Sequence, residues 1–256
     1  MKNVLLLDKP LGMTPLACIE SWRARHPEYS GVKMGYAGRL DPMADGLLVV
    51  LVGDENKLRE KYLGLDKEYQ VTIACGVSTD THDVMGLIEA SKPVLDMLSR
   101  DTVEDALQSF RGDIIQEYPA YSSKTVQGKP LYAWAREGRL HDIEIPTAQR
   151  HISELELVEI EMVDAQSFVV SVHDKLSRVT QGDFRLDAIE EAWKSWEQGI
   201  GTEFSICQIS VRVVCSSGTY MRTLAYEIGK ALGYPSCASA IKRTRVGQYV
   251  LPPAGQ

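Results

Sequence analysis

The stretch that most restricts this chain is a glycine-bounded loop followed at once by an apolar run. It reads Gly35-Tyr36-Ala37-Gly38-Arg39-Leu40-Asp41-Pro42-Met43-Ala44-Asp45-Gly46, then Leu47-Leu48-Val49-Val50-Leu51-Val52. A short, unbroken apolar run rich in valine predicts a strand buried on both faces. Asp41 is thereby held at the mouth of a core strand, and Pro42 biases it towards extended backbone. A carboxylate in that position serves one of two ends. It can be a turn residue bonding nearby amides, or a catalytic group. The loop alone leaves both open.

Charge narrows the function classes. The chain carries 28 Lys and Arg against 35 Asp and Glu, a net charge of −7. A binder driven only by nonspecific attraction to phosphates would be basic overall. A basic groove on an acidic body remains compatible. With 44% apolar residues over 256 positions, one large core is within reach. Cys18, Cys75, Cys207, Cys215 and Cys237 form no C-x-x-C pair. This points to free thiols in a cytoplasmic protein rather than a disulfide frame or zinc site. No apolar run reaches membrane-spanning length. Met1–Asp8 reads as a first strand, not a signal peptide.

Along the chain, Val4–Leu7 predicts a strand. Thr14 and Pro15 open a helix striped by Leu16, Ile19 and Trp22. Asp54 is placed to cap a short helix through Tyr62. From Glu68 to Cys75 the residues alternate, putting Tyr69, Val71, Ile73 and Cys75 on one face. Tyr69 is either a core tyrosine or a ring lining a pocket. The loop Gly76–Gly86 is either self-bonded through Asx and Thr turns or a metal-binding loop. Asp101 with Glu104 suggests a capping box. In Gln116–Arg139, the residues Tyr118, Tyr121, Lys124, Lys129, Tyr132, Trp134, Arg136 and Arg139 interleave rings with cations. That is what a nucleic-acid surface needs. Ile152–Met162 and Ser167–Val172 read as paired strands, and Asp183–Gln198 as an amphipathic helix with Trp193 and Trp196 on its apolar face. Cys207 to Cys215 alternates as a strand, and a helix carrying Leu224, Ile228 and Leu232 follows.

Arg222 sits in the first turn of that last helix, against the positive end of its dipole. This costs a few tenths to about 1 kcal/mol, so an anion nearby is the natural explanation: a buried carboxylate or a phosphate. From Val211 onward the chain holds six basic side chains and one acidic, Glu227. Ile241-Lys242-Arg243-Thr244-Arg245 is expected to present cations to phosphates.

These segments together resemble the TruB-type tRNA pseudouridine synthase family. Leu6–Thr14 is similar to its first motif and Gly35–Gly46 to its catalytic loop. Lys67-Glu68-Tyr69, the Gly76–Gly86 loop, Tyr118–Gly138, Cys215–Arg222 and Ile241–Arg245 follow in the family's order. The resemblance implies an α+β pseudouridine synthase fold around a mixed, mostly antiparallel sheet flanked by helices. It implies isomerisation of uridine to pseudouridine at position 55, in the T-loop of tRNA, on a flipped-out base. Asp41 would be the nucleophile, at the ribose C1′ or uracil C6, with Arg222 supplying the opposite charge. Tyr69 would stack on the uracil and take part in removing the C5 proton, and Ile241 would close the apolar side. Tyr36, Lys57, Tyr220, Lys124, Lys129 and Lys242 would contact RNA. No metal or organic cofactor is implied, the partner is the tRNA T-arm, and a monomer is expected.

The chain departs from the family in three places. Tyr36 stands where the family has a histidine associated with holding the flipped RNA; tyrosine can stack but carries no positive charge. Residues 1–256 read as one catalytic domain with an RNA-contacting insertion at 116–150, without the C-terminal RNA-binding (PUA) domain. Residues 164–203 read as an extra helical insertion that packs on the catalytic domain or meets a partner. Three other functions compete: a guide-RNA-dependent synthase subunit, a non-catalytic RNA-binding folding helper, and a hydrolase using Asp41, Asp45, Asp80 and Asp83.

Overall fold

The structure, a computed structural model, describes residues 2–201 and 203–251. Thr202, within the 164–203 segment, and the end of the basic C-terminal stretch, 252–256, lie outside the described residues. The strands are β1 (Val4–Lys9), β2 (Met34–Ala37), β3 (Ala44–Val52), β4 (Lys67–Cys75), β5 (Val77–Thr79), β6 (Ile88–Ser91) and β7 (Gly112–Glu117). They continue with β8 (Thr125–Val126), β9 (Lys129–Pro130), β10 (Thr147–Asp164), β11 (Ser205–Cys215), β12 (Ser236–Val246) and β13 (Tyr249–Val250). The helices are α1 (Pro15–Ala24), α2 (Arg59–Leu63), α3 (Arg100–Gln108), α4 (Leu131–Arg136), α5 (Ala165–Ser177), α6 (Leu186–Gly199) and α7 (Met221–Ala231).

One sheet of nine strands organises the molecule, in the order β1-β3-β12-β4-β11-β10-β7, with β2 on β3 and β13 on β12. Its pairings are antiparallel except β3 with β12, which is parallel. The expected α+β architecture with a mixed, mostly antiparallel sheet is therefore present. The apolar run of β3 is buried from Leu47 to Val52, as a strand in the sheet interior requires. Tyr69, Val71, Ile73 and Cys75 do share one face of β4, where they join Leu224 and Ile228 of α7 and Leu107 of α3 in the largest core cluster. The opposite face, at Ala74, Ile206 and Cys237, is covered by Phe168 and Val172 of α5 and Ile189 and Trp193 of α6.

Several local expectations are corrected. Ser167–Val172 is not a strand: β10 runs unbroken to Asp164, whose carboxylate accepts from the Ser167 amide at 2.8 Å and caps α5. Phe168, Val169, Val172 and Leu176 then recur at helical spacing on the buried side. α3 is capped by Ser99, which accepts from Thr102 N, and Asp101 lies inside its first turn. Asp54 caps nothing; the segment Gly53–Leu58 is a 3₁₀ turn in which Asp54 pairs with Lys57 at 2.7 Å. Thr14 does cap α1 through Ala17 N, but Leu16 points to solvent and Cys18 shares the buried face with Ile19. α6 starts at Leu186, after Arg185. Among the described residues no helix is long and apolar enough to cross a membrane.

Candidate active site

The parallel pairing of β3 with β12 builds the site. It sets Ile241 beside Ala44, Lys242 beside Asp45 and Arg243 beside Gly46. Gly46 has φ of +96°, and a Cβ there would come within 2.4 Å of the Arg243 carbonyl oxygen. Only glycine allows both this backbone and this approach. Just upstream, the Asp41 carbonyl accepts from Ala44 N at 3.0 Å, and the Pro42 carbonyl accepts from Gly12 N at 2.8 Å. Met43 packs among the apolar residues of α5 and α6. The loop carrying Asp41 is thus tied on both sides.

Asp41 meets Arg222, 181 positions away in the chain: Nε donates to Oδ2 at 2.8 Å. The guanidinium also donates to the carbonyls of Thr81 at 2.7 Å and Tyr121 at 3.2 Å. A second carboxylate, Asp83, lies 3.6 Å from Nε. Arg222 and Asp83 are buried, with side chains 5% and 7% exposed, while Asp41 keeps 35% of its side-chain surface. The open carboxylate is therefore the one that solvent reaches, and the closed one braces the arginine. Burial would lower the Arg222 pKa, but the charges of Asp41 and Asp83 outweigh it and the net direction is upward. Burial pushes the Asp83 carboxyl up to about 6 against the pull of Arg222. Its remaining bonds come from Thr81 Oγ1 at 2.7 Å and Met85 N at 2.9 Å. The anion inferred from the helix dipole is thus a carboxylate pair.

Tyr69 and Ile241 lie on the same sheet face as Ala44, in the core cluster that adjoins this site. Burial pushes the Tyr69 phenol above its ordinary pKa, and the Arg243 charge works in the opposite direction. Tyr220 is the residue before α7; Gln116 of β7 clasps its backbone, accepting from Tyr220 N at 2.8 Å and donating to Tyr220 O at 3.0 Å. Burial and the Asp41 charge raise the Tyr220 phenol. Lys124 stands 5.0 Å over the ring of Tyr118, which also meets Tyr220 edge-on at 5.7 Å. Arg39, in the Asp41 loop, donates to Ser123 Oγ. Asp41, Tyr69, Arg222, Ile241 and Tyr220, with the Tyr118–Lys124 segment, form one neighbourhood.

Other candidates are placed differently. Lys57 is 77% exposed on its side chain and pairs with Asp54. Lys129 pairs with Glu137 and stands 4.6 Å over Trp134. Tyr36 sits on β2 with Arg59 5.9 Å over its ring. Lys242 pairs in register with Gln70 and lies 3.9 Å from Asp45, on the sheet face opposite Tyr69. The expectation that Lys242, Arg243 and Arg245 form one cation cluster is overturned. Arg243 is 1% exposed. It donates to the carbonyls of Leu47 at 2.8 Å and Gly38 at 3.1 Å, pinning the Asp41 loop from below. Arg245 reaches Glu68 at 3.4 Å. The period-two alternation of Ile241 and Arg243 carried that signal: a residue two places from an inward isoleucine faces inward. The four aspartates of the hydrolase reading do not form one cluster: Asp83 shares Arg222 with Asp41, but Asp80 is turned onto Arg185 and Asp45 lies towards Lys242. Among the described residues no cluster of three His, Cys, Asp or Glu side chains is arranged to hold a metal ion.

The family model described as "TruB family pseudouridylate synthase (N terminal domain)" matches residues 26–176. The tRNA pseudouridine synthase B of Azoarcus sp. (strain BH72) is 36% identical over 247 residues, covering 96% of this chain and 65% of that protein. The tRNA pseudouridine synthase B of Geobacillus thermodenitrificans (strain NG80-2) is 34% identical over 252 residues, covering 98% of this chain and 69% of that protein. The chain thus spans about two thirds of the length of these curated relatives, and less than two thirds of the Azoarcus protein. Among solved structures, a chain of the "Crystal Structure of a Cbf5-Nop10-Gar1 Complex" shares the fold with a TM-score of 0.58 and 21% identity, covering 96% of this chain and 49% of that one.

Proposed function

The chain belongs to the TruB family of pseudouridylate synthases, and on that premise we propose that it isomerises uridine to pseudouridine in the T-loop of tRNA. The observation that carries the reading is the Asp41–Arg222 pair at 2.8 Å, assembled from the Asp41 loop and the first turn of α7 and left open on the aspartate side. Asp41 attacks the ribose C1′ or the uracil C6, and the bond from N1 to C1′ breaks. The uracil turns, C5 bonds to C1′, the bond to Asp41 breaks, the proton on C5 is lost and N1 takes up a proton in exchange. Substrate and product are isomers, so the reaction draws on no outside electron or group.

Arg222 holds the nucleophile as a charged partner on a rigid helix turn. Tyr69 supports the flipped base by stacking. Its raised pKa keeps it a neutral phenol, so it accepts the C5 proton only if its own moves on. Ile241 lines the apolar side of the pocket. Tyr220, Lys124 and Tyr118 hold the RNA beside the target base. Tyr36, Lys57, Lys129 and Lys242 are further contacts along a longer RNA path. In this reading 116–150 reaches over the T-arm, 164–203 packs on the catalytic domain, and the protein works as a cytoplasmic monomer.

The test uses a T-loop stem-loop RNA tritiated at C5 of the target uridine. Wild type releases tritium, and Asp41→Asn loses at least roughly a thousandfold in rate while still binding the RNA. Binding by both proteins with release by neither would overturn the enzymatic reading in favour of an RNA-binding helper.

A further inference from the structure

A charged side chain of the segment between β10 and β11 reaches towards the site. Arg185, just before α6, holds a left-handed backbone with φ of 58°. A non-glycine residue keeps that conformation when its surroundings demand it. Its guanidinium forks onto Asp80, with Nη1 to Oδ2 at 2.8 Å and Nη2 to Oδ1 at 3.3 Å. The same guanidinium lies over the ring of Tyr121, 4.4 Å from the centroid. The ion pair is largely shielded, its side chains 23% and 19% exposed.

Two further contacts give this grip its direction. Asp183 pairs with Arg136 of α4 at 2.7 Å, so the same connector holds the far side of the 118–138 segment. Asp80 is itself fixed, because its Oδ1 accepts from Leu87 N at 2.8 Å. Burial and the Asp80 charge push the Tyr121 phenol up to about 12, so the stacked ring stays neutral. Tyr121 also leads into the chemistry. Its carbonyl accepts from Arg222 Nη2 at 3.2 Å, and Arg222 holds Asp41. Ser123 and Lys124 follow directly, and Ser123 accepts from Arg39 of the Asp41 loop.

We propose that Arg185 is a positioning residue that locks Tyr121, and with it the loop carrying Lys124, over the Asp41 site before RNA arrives. The catalytic consequence rests on the isomerase reading; the ordering of the loop does not. A loop already ordered spares the substrate the entropy of ordering it. Arginine suits the task because one planar group can make a forked bond and stack on a ring together. Lysine can keep the charge on Asp80 but not both contacts.

The experiment compares wild type, Arg185→Ala and Arg185→Lys in the full chain. Amide hydrogen exchange is followed without RNA, and steady-state tritium release is measured on the T-loop stem-loop. In Arg185→Ala, exchange over residues 118–131 speeds up about tenfold, KM rises by a similar factor, and kcat stays within about threefold. Exchange in β4 and β11 is unchanged, and Arg185→Lys recovers only part of both effects. Unchanged exchange over 118–131 would overturn the proposal. So would faster exchange spread evenly through the sheet, which marks general destabilisation, or a loosened loop with KM unaltered. If wild type releases no tritium, the isomerase reading falls; the exchange result and the stem-loop Kd of the variants then decide the positioning role by themselves.

Discussion

At the scale of single residues, one arginine faces two carboxylates, and their different burial assigns different tasks. Asp41 is open to solvent, as the proposed nucleophile must be, whereas Asp83 is enclosed and serves the arginine. The consequence is a pH dependence of stability. The Asp83 carboxyl is raised from 3.8 to about 6 in the folded protein, so the folded state binds its proton more tightly than the unfolded chain does. Its contribution is fully present below the ordinary carboxylate range and is lost as pH rises through about 6. Urea midpoints measured from pH 4.5 to 7.5 are expected to include a component that falls with rising pH. Asp83→Asn removes that component. An identical slope in the variant would mean that Asp83 does not titrate in this window. Arg243 shows the same logic by contrast: a cation read as a phosphate contact is spent on the carbonyls of Leu47 in β3 and Gly38 in the Asp41 loop, because its strand position points inward.

At the scale of elements, the decisive boundary is the one between β10 and α5. A run of Ser, Phe and Val after a strand looks like a second strand, since β-branched residues favour strands and periodicity alone does not separate a short apolar run from a buried helix. The cap at Asp164 resolves it. Its carboxylate takes the Ser167 amide, and burial lowers neither bond nor charge there because the group is exposed. Asp164→Ala is therefore expected to lower the urea midpoint, as the loss of an N-cap does. Urea unfolding followed by far-UV circular dichroism measures this, and Asp164→Asn or Asp164→Ser should restore most of the loss. No loss in the alanine variant would show that α5 is held by its buried face alone.

At the scale of the whole molecule, α5 and α6 close the sheet face behind the loops that carry Asp41 and Asp83. Trp193 is fully buried and donates from Nε1 to the Val84 carbonyl at 3.1 Å, next to Asp83. Trp193→Ala is expected to lower stability by roughly 3–5 kcal/mol and to speed amide exchange in the Gly76–Gly86 loop beyond the rest of the sheet. A loss of stability with no local change in that loop would separate the core from the site. Much of the architecture was legible locally. The β3 run, the alternation of β4 and β11, the Thr14 cap and the α7 stripe each follow from burial periodicity, a property that neighbouring residues carry among themselves. The unfavourable seat of Arg222 on its helix likewise signalled a nearby anion in advance. Which anion Arg222 meets, which basic residues turn inward, and which hold acidic partners instead of facing solvent depended on the assembled sheet. Those outcomes rest on contacts between residues far apart in the chain, such as the parallel seam of β3 with β12, and no local pattern records which distant group will share a face.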